Sequence, residues 1–310
     1  MVDFLVLGTA KAGTTSIYRV LNSHTQICMS KPKETWHFDS ASHLTGIYAY
    51  HEKYFPHCPD GKLRGEVATS YLFVPYVAGR IAKELPGTQL IAILRDPIER
   101  AYSDWWMMHT RGWDPLSFED AIEDNFKRLE NGPDFSNRKD WVNHLSSIRD
   151  QGTVQYRTYI DYGFYGTQLS RYHAAGLADR LLILQFEKMK RDGASYVEQV
   201  FDFLNLSPPV RDELAAAFAD RQNEALPSRR IGQIVGLSHR SGLVKIIPEG
   251  AKQLIKTWLA ARRGKPEISK EILERLRQIY NLQANELKKF SELDLSLWPT
   301  LRDSNEIEAK

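Results

Sequence analysis

The most constraining feature of this chain is its first sixteen residues, where a strand pattern, a small-residue loop and a helix pattern follow one another. Residues 4–16 read FLVLGTAKAGTTS, in which an apolar run ends at Gly8, a loop carries Lys11 and Gly13, and a helical pattern begins near Ser16. At such a junction the N–H groups of the loop and the positive end of the helix dipole converge on one point. The segment therefore predicts a phosphate site, with a ligand-free glycine turn as the alternative because short glycine motifs are common.

The spacing within this loop indicates which class of phosphate site it is. A Walker A loop has two glycines separated by four residues, followed at once by Lys and Ser or Thr. Gly8 and Gly13 have that separation, but Thr14 stands where Lys is required and the lysine is at position 11. The loop instead resembles the 5′-phosphosulfate loop of sulfotransferases that use 3′-phosphoadenosine 5′-phosphosulfate (PAPS). That resemblance implies donor binding by Lys11, Ala12, Gly13, Thr14, Thr15 and Ser16.

A second segment, residues 90–108, reads LIAILRDPIERAYSDWWMM. It is a strand pattern ended by Arg95, Asp96 and Pro97, and proline suits the first turn of a following helix. Arg95 and Ser103 can share one phosphate, through a planar guanidinium and a hydroxyl. In PAPS sulfotransferases an Arg-Asp-Pro segment with a Ser eight residues after the Arg clamps the 3′-phosphate, and this sequence is similar at both positions. A local ion pair at a helix start is the alternative for Arg95 and Asp96.

The third segment is KPKETWHFD, from Lys31 to Asp39. It resembles the KE-x-x-x-F-D stretch of glycan-type sulfotransferases such as the heparan sulfate enzymes, in which the Glu is the general base. The resemblance makes Glu34 the candidate base, with Lys11 meeting the charge on the leaving group, and it leaves His37 as the rival base. Residues 65–71, GEVATSY, resemble a further family strand, but Val67 stands where the glycan enzymes often carry a Lys.

Two later segments add candidate nucleotide contacts by the same resemblance. Residues 163–172, GFYGTQLSRY, are similar to the family segment whose Tyr packs on the adenine, which makes Tyr165 a candidate, with core packing as the alternative. Arg229 and Arg230 fall where family members fold a loop over the nucleotide, so one of them is expected near the 3′-phosphate.

Strand and helix patterns alternate along the chain, which predicts an α/β fold with a mainly parallel central sheet flanked by helices. The central strands are expected at 5–7, 90–94 and 181–184. The resemblance makes this the P-loop NTPase-like sulfotransferase fold. We expect one domain over residues 1–300, with an acceptor-side insertion at 105–162, a basic region at 227–265 and a tail at 301–310. The aromatic residues of 105–162 suit either an acceptor site or a core.

The charge and the cysteine count of the chain limit the classes of ligand that it can be expected to bind. A formal net charge of +2 gives no case for general nucleic-acid binding. Cys28 and Cys58 are too few for a disulfide framework or a zinc site, which leaves a single bridge open and predicts no metal.

Without a leader or a long apolar run, the chain is expected to be soluble and cytoplasmic. Residues 251–263 combine an apolar stripe with flanking cations, which suits a docked surface helix or one resting on an anionic surface or carrier. The pattern leaves the oligomeric state open.

The sequence thus favours a PAPS-dependent sulfotransferase that makes a sulfate ester on a carbohydrate or small natural product and releases the desulfonated nucleotide PAP. N-sulfation of an amine or guanidine by the same base is one alternative. A P-loop kinase is another, although it requires the Gly-Lys-Ser/Thr that is absent here, and a nucleotide-binding protein without turnover is the third.

Overall fold

The computed structural model describes residues 1–110, 113–114, 116–132, 135, 138–150, 157–209 and 265–301. These residues form two compact units, of which the first contains 1–100, 164–209 and 279–301, and the second contains the described parts of 101–163 together with 265–278. The single domain with an insertion at 105–162 stays a prediction. The segment 251–263, all of 227–265 except Lys265, and the tail from 302 onward lie outside the described residues.

The first unit is built on a five-stranded parallel sheet. Its strands are β1 (Phe4–Val6), β2 (Ile27–Met29), β3 (Leu63–Val67), β4 (Gln89–Leu94) and β5 (Leu181–Gln185). They lie in the order β2-β3-β1-β4-β5, so β1 is central and pairs with β3 on one side and β4 on the other. This confirms the expected parallel α/β fold.

The central strands β1 and β4 are buried on both faces, as expected for a parallel sheet covered by helices. Phe4 and Val6 of β1 face a core that also contains Ile91 and Ile93 of β4. The intervening Leu5 and Ala92 are also buried, and alternate residues of a strand point to opposite faces. Apolar side chains on both sides therefore fix the register of the strands that carry the site.

The helices of the first unit alternate with these strands. They are α1 (Thr14–Ser23), α2 (Gly46–Tyr54), α3 (Val77–Glu84), α7 (Tyr165–Ala174), α8 (Phe186–Arg191) and α9 (Gly193–Phe203). Helix α4 (Pro97–Thr110) runs on into the second unit, and α10 (Lys270–Leu287) begins there and ends in the first. Asp192 separates α8 from α9, because its side chain accepts a hydrogen bond from the Ser195 N–H and so caps the start of α9.

The second unit contains α5 (Phe118–Asn131) and α6 (Arg138–Asp150) as well as the C-terminal half of α4. Its aromatic side chains mostly pack. Trp105 is buried against Tyr102 and Phe118, and the buried Tyr159 hydroxyl donates to Asp114 Oδ2 at 2.8 Å. Of the two interpretations given to the aromatic residues of 105–162, these contacts favour a core.

Cys28 on β2 and Cys58 after α2 form a disulfide, the single bridge that the sequence left open. The bridge ties the loop after α2 to the strand that leads into residues 30–39, and Lys31 N–H donates to the Tyr54 carbonyl alongside it at 3.1 Å. Because disulfides persist in oxidising compartments, this bond weighs against the cytoplasmic location expected from the sequence, which stays a prediction.

We expect the double variant Cys28→Ser/Cys58→Ser to lose about 2–4 kcal/mol of unfolding free energy, because the bridge closes a loop with a sequence separation of 30. Urea unfolding of the variant and of the oxidised protein measures the difference. The reduced wild-type protein should match the variant, and two alkylatable thiols in the purified, non-reduced protein would contradict the bond.

Candidate functional site

The carboxyl ends of four neighbouring strands deliver the candidate residues to one edge of the sheet. β1 leads into residues 7–13, here called the phosphate loop, and β2 leads into residues 30–39, here called the base segment. Thr69 follows β3 and Arg95 follows β4. In a parallel sheet a crevice lies at the carboxyl ends of the two neighbouring strands between which the strand order reverses, and here these strands are β1 and β4.

Gly13 gives the phosphate loop its shape. It precedes the first residue of α1 with φ 85°, provides no side-chain cap, and is followed by a first turn free of acidic residues. A Cβ there would overlap the Met189 methyl and lie 2.9 Å from the Phe186 ring. In the first turn of α1 the Ser16 N–H donates to the Gly13 carbonyl at 2.9 Å, whereas the N–H groups before it have no intrahelical acceptor, so this turn without a side-chain cap is suited to an anion.

Gly8 brings the start of the loop against the segment after β3. It has φ 102°, and a Cβ on it would lie 2.7 Å from the Thr69 carbonyl oxygen. On the other side the Gly8 carbonyl accepts from Ile93 N–H at 2.6 Å, and Thr9 N–H donates to Ile93 O at 2.7 Å. The loop is therefore held between β3 and β4.

Arg95 joins this loop to β4. Its Nη1 donates to the Lys11 carbonyl at 2.9 Å, its Nη2 pairs with Glu99 at 3.1 Å, and its guanidinium lies over the Phe186 ring at 5.0 Å. Within the described part of the chain, the buried Arg95 Nε has no hydrogen-bond partner, and neither has the buried Thr9 Oγ1. These orphaned donors and the glycine-shaped cradle fit an anionic phosphate ligand.

Asp96 and Tyr165 support Arg95. Asp96 Oδ1 accepts from the N–H groups of Ile98 and Glu99 at 3.1 Å, which caps α4. The Tyr165 hydroxyl donates to the Arg95 carbonyl at 2.8 Å, and its ring packs on Trp298. Only 1% of the Tyr165 side chain is exposed, so packing on an adenine would require rearrangement, and that role stays a prediction.

Glu34 lies beside the phosphate loop. Its Oε2 accepts from Thr69 Oγ1 at 2.7 Å and from Thr69 N–H at 3.3 Å, and its Oε1 pairs with Lys33 Nζ at 3.2 Å. Glu34 remains 21% exposed, as does Lys33. A carboxylate oriented by three donors and still open to solvent can accept a proton from a ligand.

His37 lies apart from that position, in an aromatic cluster with Phe38 and Tyr50. Burial, together with smaller effects of nearby basic side chains such as Arg80, lowers the pKa of His37 to about 4. Its ring is therefore neutral at pH 7, and it is 1% exposed. Its buried Nε2 has no hydrogen-bond partner among the described residues. The structure thus separates the two candidate bases.

Lys33 is a site residue that the sequence analysis did not single out. Besides Glu34, its Nζ contacts Thr14 Oγ1 in the first turn of α1 at 3.4 Å. Its side chain therefore bridges the carboxylate of the base segment and the helix that follows the phosphate loop. The adjacent Lys33 and Glu34 of the KE motif could have pointed to this lysine, but spacing along the sequence does not show which groups its side chain contacts.

Glu66, a buried residue of β3, holds the base segment through hydrogen bonds from Thr35. Its carboxylate accepts from Thr35 N–H at 3.0 Å and from Thr35 Oγ1 at 2.7 Å, and also from the hydroxyls of Tyr50 and Tyr71. Burial raises the pKa of Glu66 to about 7, against the opposing effect of these donors. Next to it, Asp39 accepts from Ser70 Oγ, and burial raises its pKa as well. The middle and the C-terminal end of the base segment are therefore held in place.

The remaining candidates are distributed as follows. Thr14 and Ser16 are buried in the first turn of α1, Ala12 is buried in the phosphate loop, and the Lys11 and Thr15 side chains are half-buried. Ser103 lies half-buried on α4 in the second unit. Arg229 and Arg230 lie outside the described residues, so their contact with a nucleotide stays a prediction.

Comparison with known proteins gives a family match. Residues 2–293 match the model of the sulfotransferase domain family. The chain is 35% identical over 137 residues to the membrane-associated sulfotransferase kil1 of Dictyostelium discoideum, a match that covers 41% of this chain and 29% of that protein. It is 28% identical over 224 residues to the mouse bifunctional heparan sulfate N-deacetylase/N-sulfotransferase 4, covering 69% and 23%. With the mouse heparan sulfate glucosamine 3-O-sulfotransferase 3A1 it shares 24% identity over 276 residues, covering 89% and 59%.

The fold has a counterpart among solved structures. A sulfotransferase from Alicyclobacillus acidocaldarius superposes with a TM-score of 0.64 at 20% identity, over 96% of this chain and 99% of that one. The chain covers less than two thirds of the length of each of these curated relatives. Among the described residues, each helix is too short or too polar to cross a lipid bilayer.

Proposed function

Because this chain belongs to the sulfotransferase family, we propose that it transfers a sulfuryl group from PAPS to a hydroxyl of a carbohydrate or small natural product. The observation that carries the proposal is the contact network at one sheet edge. Lys33 links Thr14 of the phosphate loop's helix to Glu34, so a candidate anion cradle and a candidate base are adjacent. Sulfuryl transfer requires that adjacency, because the base must reach an acceptor hydroxyl that faces the donor.

The donor would lie along the β1 and β4 ends. The uncapped first turn of α1 and Lys11 would hold its 5′-phosphosulfate, while Arg95 would hold its 3′-phosphate. The family resemblance adds Ser103 to that phosphate, and this contact stays a prediction. When bound, PAPS supplies an activated sulfuryl group whose bond to the phosphate oxygen breaks as the acceptor oxygen attacks in line. Gly8 and Gly13 carry no side chain that would crowd the loop, so its backbone N–H groups can approach a phosphate, which supports this placement.

Glu34 would take the acceptor's hydroxyl proton. Thr69 orients its Oε2, and Lys33 keeps the carboxylate directed toward the loop. His37 is the weaker candidate, since its ring is enclosed by aromatic side chains and would have to leave the core to reach a substrate. The same carboxylate could serve an N–H nucleophile, so amine acceptors belong in the test.

Glycan sulfotransferases often carry a lysine at the position of Val67. Lys33 would supply the positive charge that Val67 does not provide. Its ammonium lies within 3.4 Å of Thr14 Oγ1, where charge develops on the leaving oxygen if the cradle holds the donor's 5′ end. We expect Lys33→Ala to lower kcat about 10²-fold, since one electrostatic donor at a developing anion is worth about that much. Steady-state assays with saturating PAPS measure it.

Lys31 is the matched control for this change. It is an exposed lysine on the same base segment, two residues before Lys33. We expect Lys31→Ala to keep the wild-type kcat. Equal losses in the two variants would indicate a general charge effect and would remove the specific role of Lys33.

The overall proposal is tested by a PAPS turnover assay across sugars, amino sugars, phenols, lipids and alkaloids, with release of PAP as the readout. Calorimetry with PAP and with Mg·ATP runs in parallel. Tight PAP binding with acceptor-dependent turnover supports the proposal. Binding without turnover on any acceptor favours a nucleotide-binding protein, and preference for Mg·ATP favours the kinase alternative.

A further inference from the structure

Trp36 departs from the rest of the base segment in its exposure. Its side chain is 56% exposed, whereas its neighbours Thr35, His37 and Phe38 are buried. It stands two residues after Glu34, and no ring contact of its indole is found within the described residues. Large apolar side chains exposed beside a reactive group are candidates for ligand contact.

The backbone of Trp36 is also unusual, with φ 50°. A bulky residue in the left-handed region is strained, and such strain persists only where the surroundings impose it. Here the surroundings do so from both sides. Thr35 N–H and Oγ1 donate to the buried Glu66 carboxylate, His37 N–H donates to Thr35 Oγ1 at 3.2 Å, and the Trp36 carbonyl accepts from Ser40 Oγ at 2.5 Å.

More than half of Trp36 stays exposed to solvent, so packing of the indole offsets only part of this strain. Glycine would satisfy the same backbone without cost, so the side chain is not explained by the local fold. Hydrogen bonds on either side fix the Trp36 backbone two residues after Glu34, so its indole can orient a second ring whose hydroxyl must meet that carboxylate. Short polar side chains, Ser40 and Ser42, lie next to the Trp36 carbonyl and can bond to hydroxyls around such a ring.

We propose that Trp36 is the platform on which the acceptor packs, and that the acceptor is a sugar ring with one apolar C–H face on the indole and its hydroxyls toward the serines. The inference rests on the proposed sulfuryl transfer and narrows its acceptor class. An indole face with adjacent hydroxyls offers both the apolar and the hydrogen-bonding surface that a pyranose presents, whereas a planar phenol would use the indole alone.

The test uses Trp36→Gly, which removes the ring and relieves the backbone strain. We expect KM for a sugar acceptor, assayed with cellobiose and with desulfated heparan chains, to rise about tenfold or more. PAP affinity should stay at the wild-type value, and the melting temperature should stay within about 2 °C of wild type or rise. Trp36→Tyr should recover most of the lost acceptor affinity.

Tyr48→Ala is the control, because Tyr48 on α2 is an aromatic residue that is 79% exposed and should leave KM unchanged. An unchanged KM in Trp36→Gly, a melting temperature lowered by both Trp36 variants, or a loss seen with phenols but not with sugars would overturn the proposal.

Saturation-transfer NMR of the sugars gives a readout without turnover. If the wild type binds PAP and sugars but never turns over, sulfuryl transfer fails while the platform is still tested by binding.

Discussion

Glu34→Gln should lower kcat about 10²–10⁴-fold while the affinity for PAP stays at the wild-type value. The reason is that the amide keeps the size and most hydrogen bonds of the side chain but cannot take a proton, and a positioned base is worth about that factor. The Glu34 carboxylate is oriented by Thr69 and Lys33, so its replacement leaves the surrounding fold in place. Single-turnover sulfation of a sugar acceptor, with calorimetry for PAP, measures both quantities.

His37→Gln is the comparison that separates the two candidate bases. Because the His37 ring packs on Phe38 and Tyr50 in the core, we expect a lower melting temperature with kcat within a few-fold of wild type. A loss of kcat in His37→Gln comparable to that in Glu34→Gln, at an unchanged fold, would assign the proton to the imidazole instead. Full activity of Glu34→Gln would exclude Glu34 as the base.

Arg95→Ala should weaken PAP binding about 100-fold. A hydrogen-bonded charge is worth about 1.5–3 kcal/mol, and each 1.4 kcal/mol is tenfold in Kd. The position of the guanidinium supports this, because Nη1 holds the Lys11 carbonyl and the buried Nε lacks a partner within the described residues. The PAP affinity of Arg95→Lys should lie between those of the wild type and of Arg95→Ala, since lysine keeps the charge but loses the planar guanidinium.

Calorimetry with PAP and with adenosine 5′-monophosphate distinguishes a 3′-phosphate contact from a general loosening of the loop. If Arg95 binds the 3′-phosphate, the variant loses affinity for PAP but little for the monophosphate, which lacks that group. Arg64 is the matched control, because it lies near the opposite, amino end of β3 and pairs with the exposed Asp60 at 3.4 Å. Equal losses for both nucleotides would mean that Arg95 only supports the loop.

The local patterns of the chain were sufficient to predict the sheet and the order of its functional segments. The apolar runs at 90–94 and 181–184 lie within β4 and β5, the run expected at 5–7 overlaps β1 (Phe4–Val6) but starts one residue late, and the Gly8–Gly13 loop does lead into a helix. The patterns were less reliable for side chains whose surroundings come from distant segments. Tyr165 is a buried support for Arg95, and the aromatic residues Trp105 and Tyr159 pack in the second unit.

What the sequence determined by itself is the class of site, because glycine spacing and strand-to-helix junctions are local properties of the backbone. What only the tertiary structure decided is which groups meet there. Lys33 contacts Thr14, nineteen residues earlier, and Glu34 contacts Thr69, thirty-five residues later. Those contacts arise because β1, β2 and β3 are parallel neighbours in the order β2-β3-β1, so their carboxyl ends share one edge. A linear pattern carries no information on which distant strands become neighbours, so it could not show that His37 is enclosed while Trp36 is left exposed.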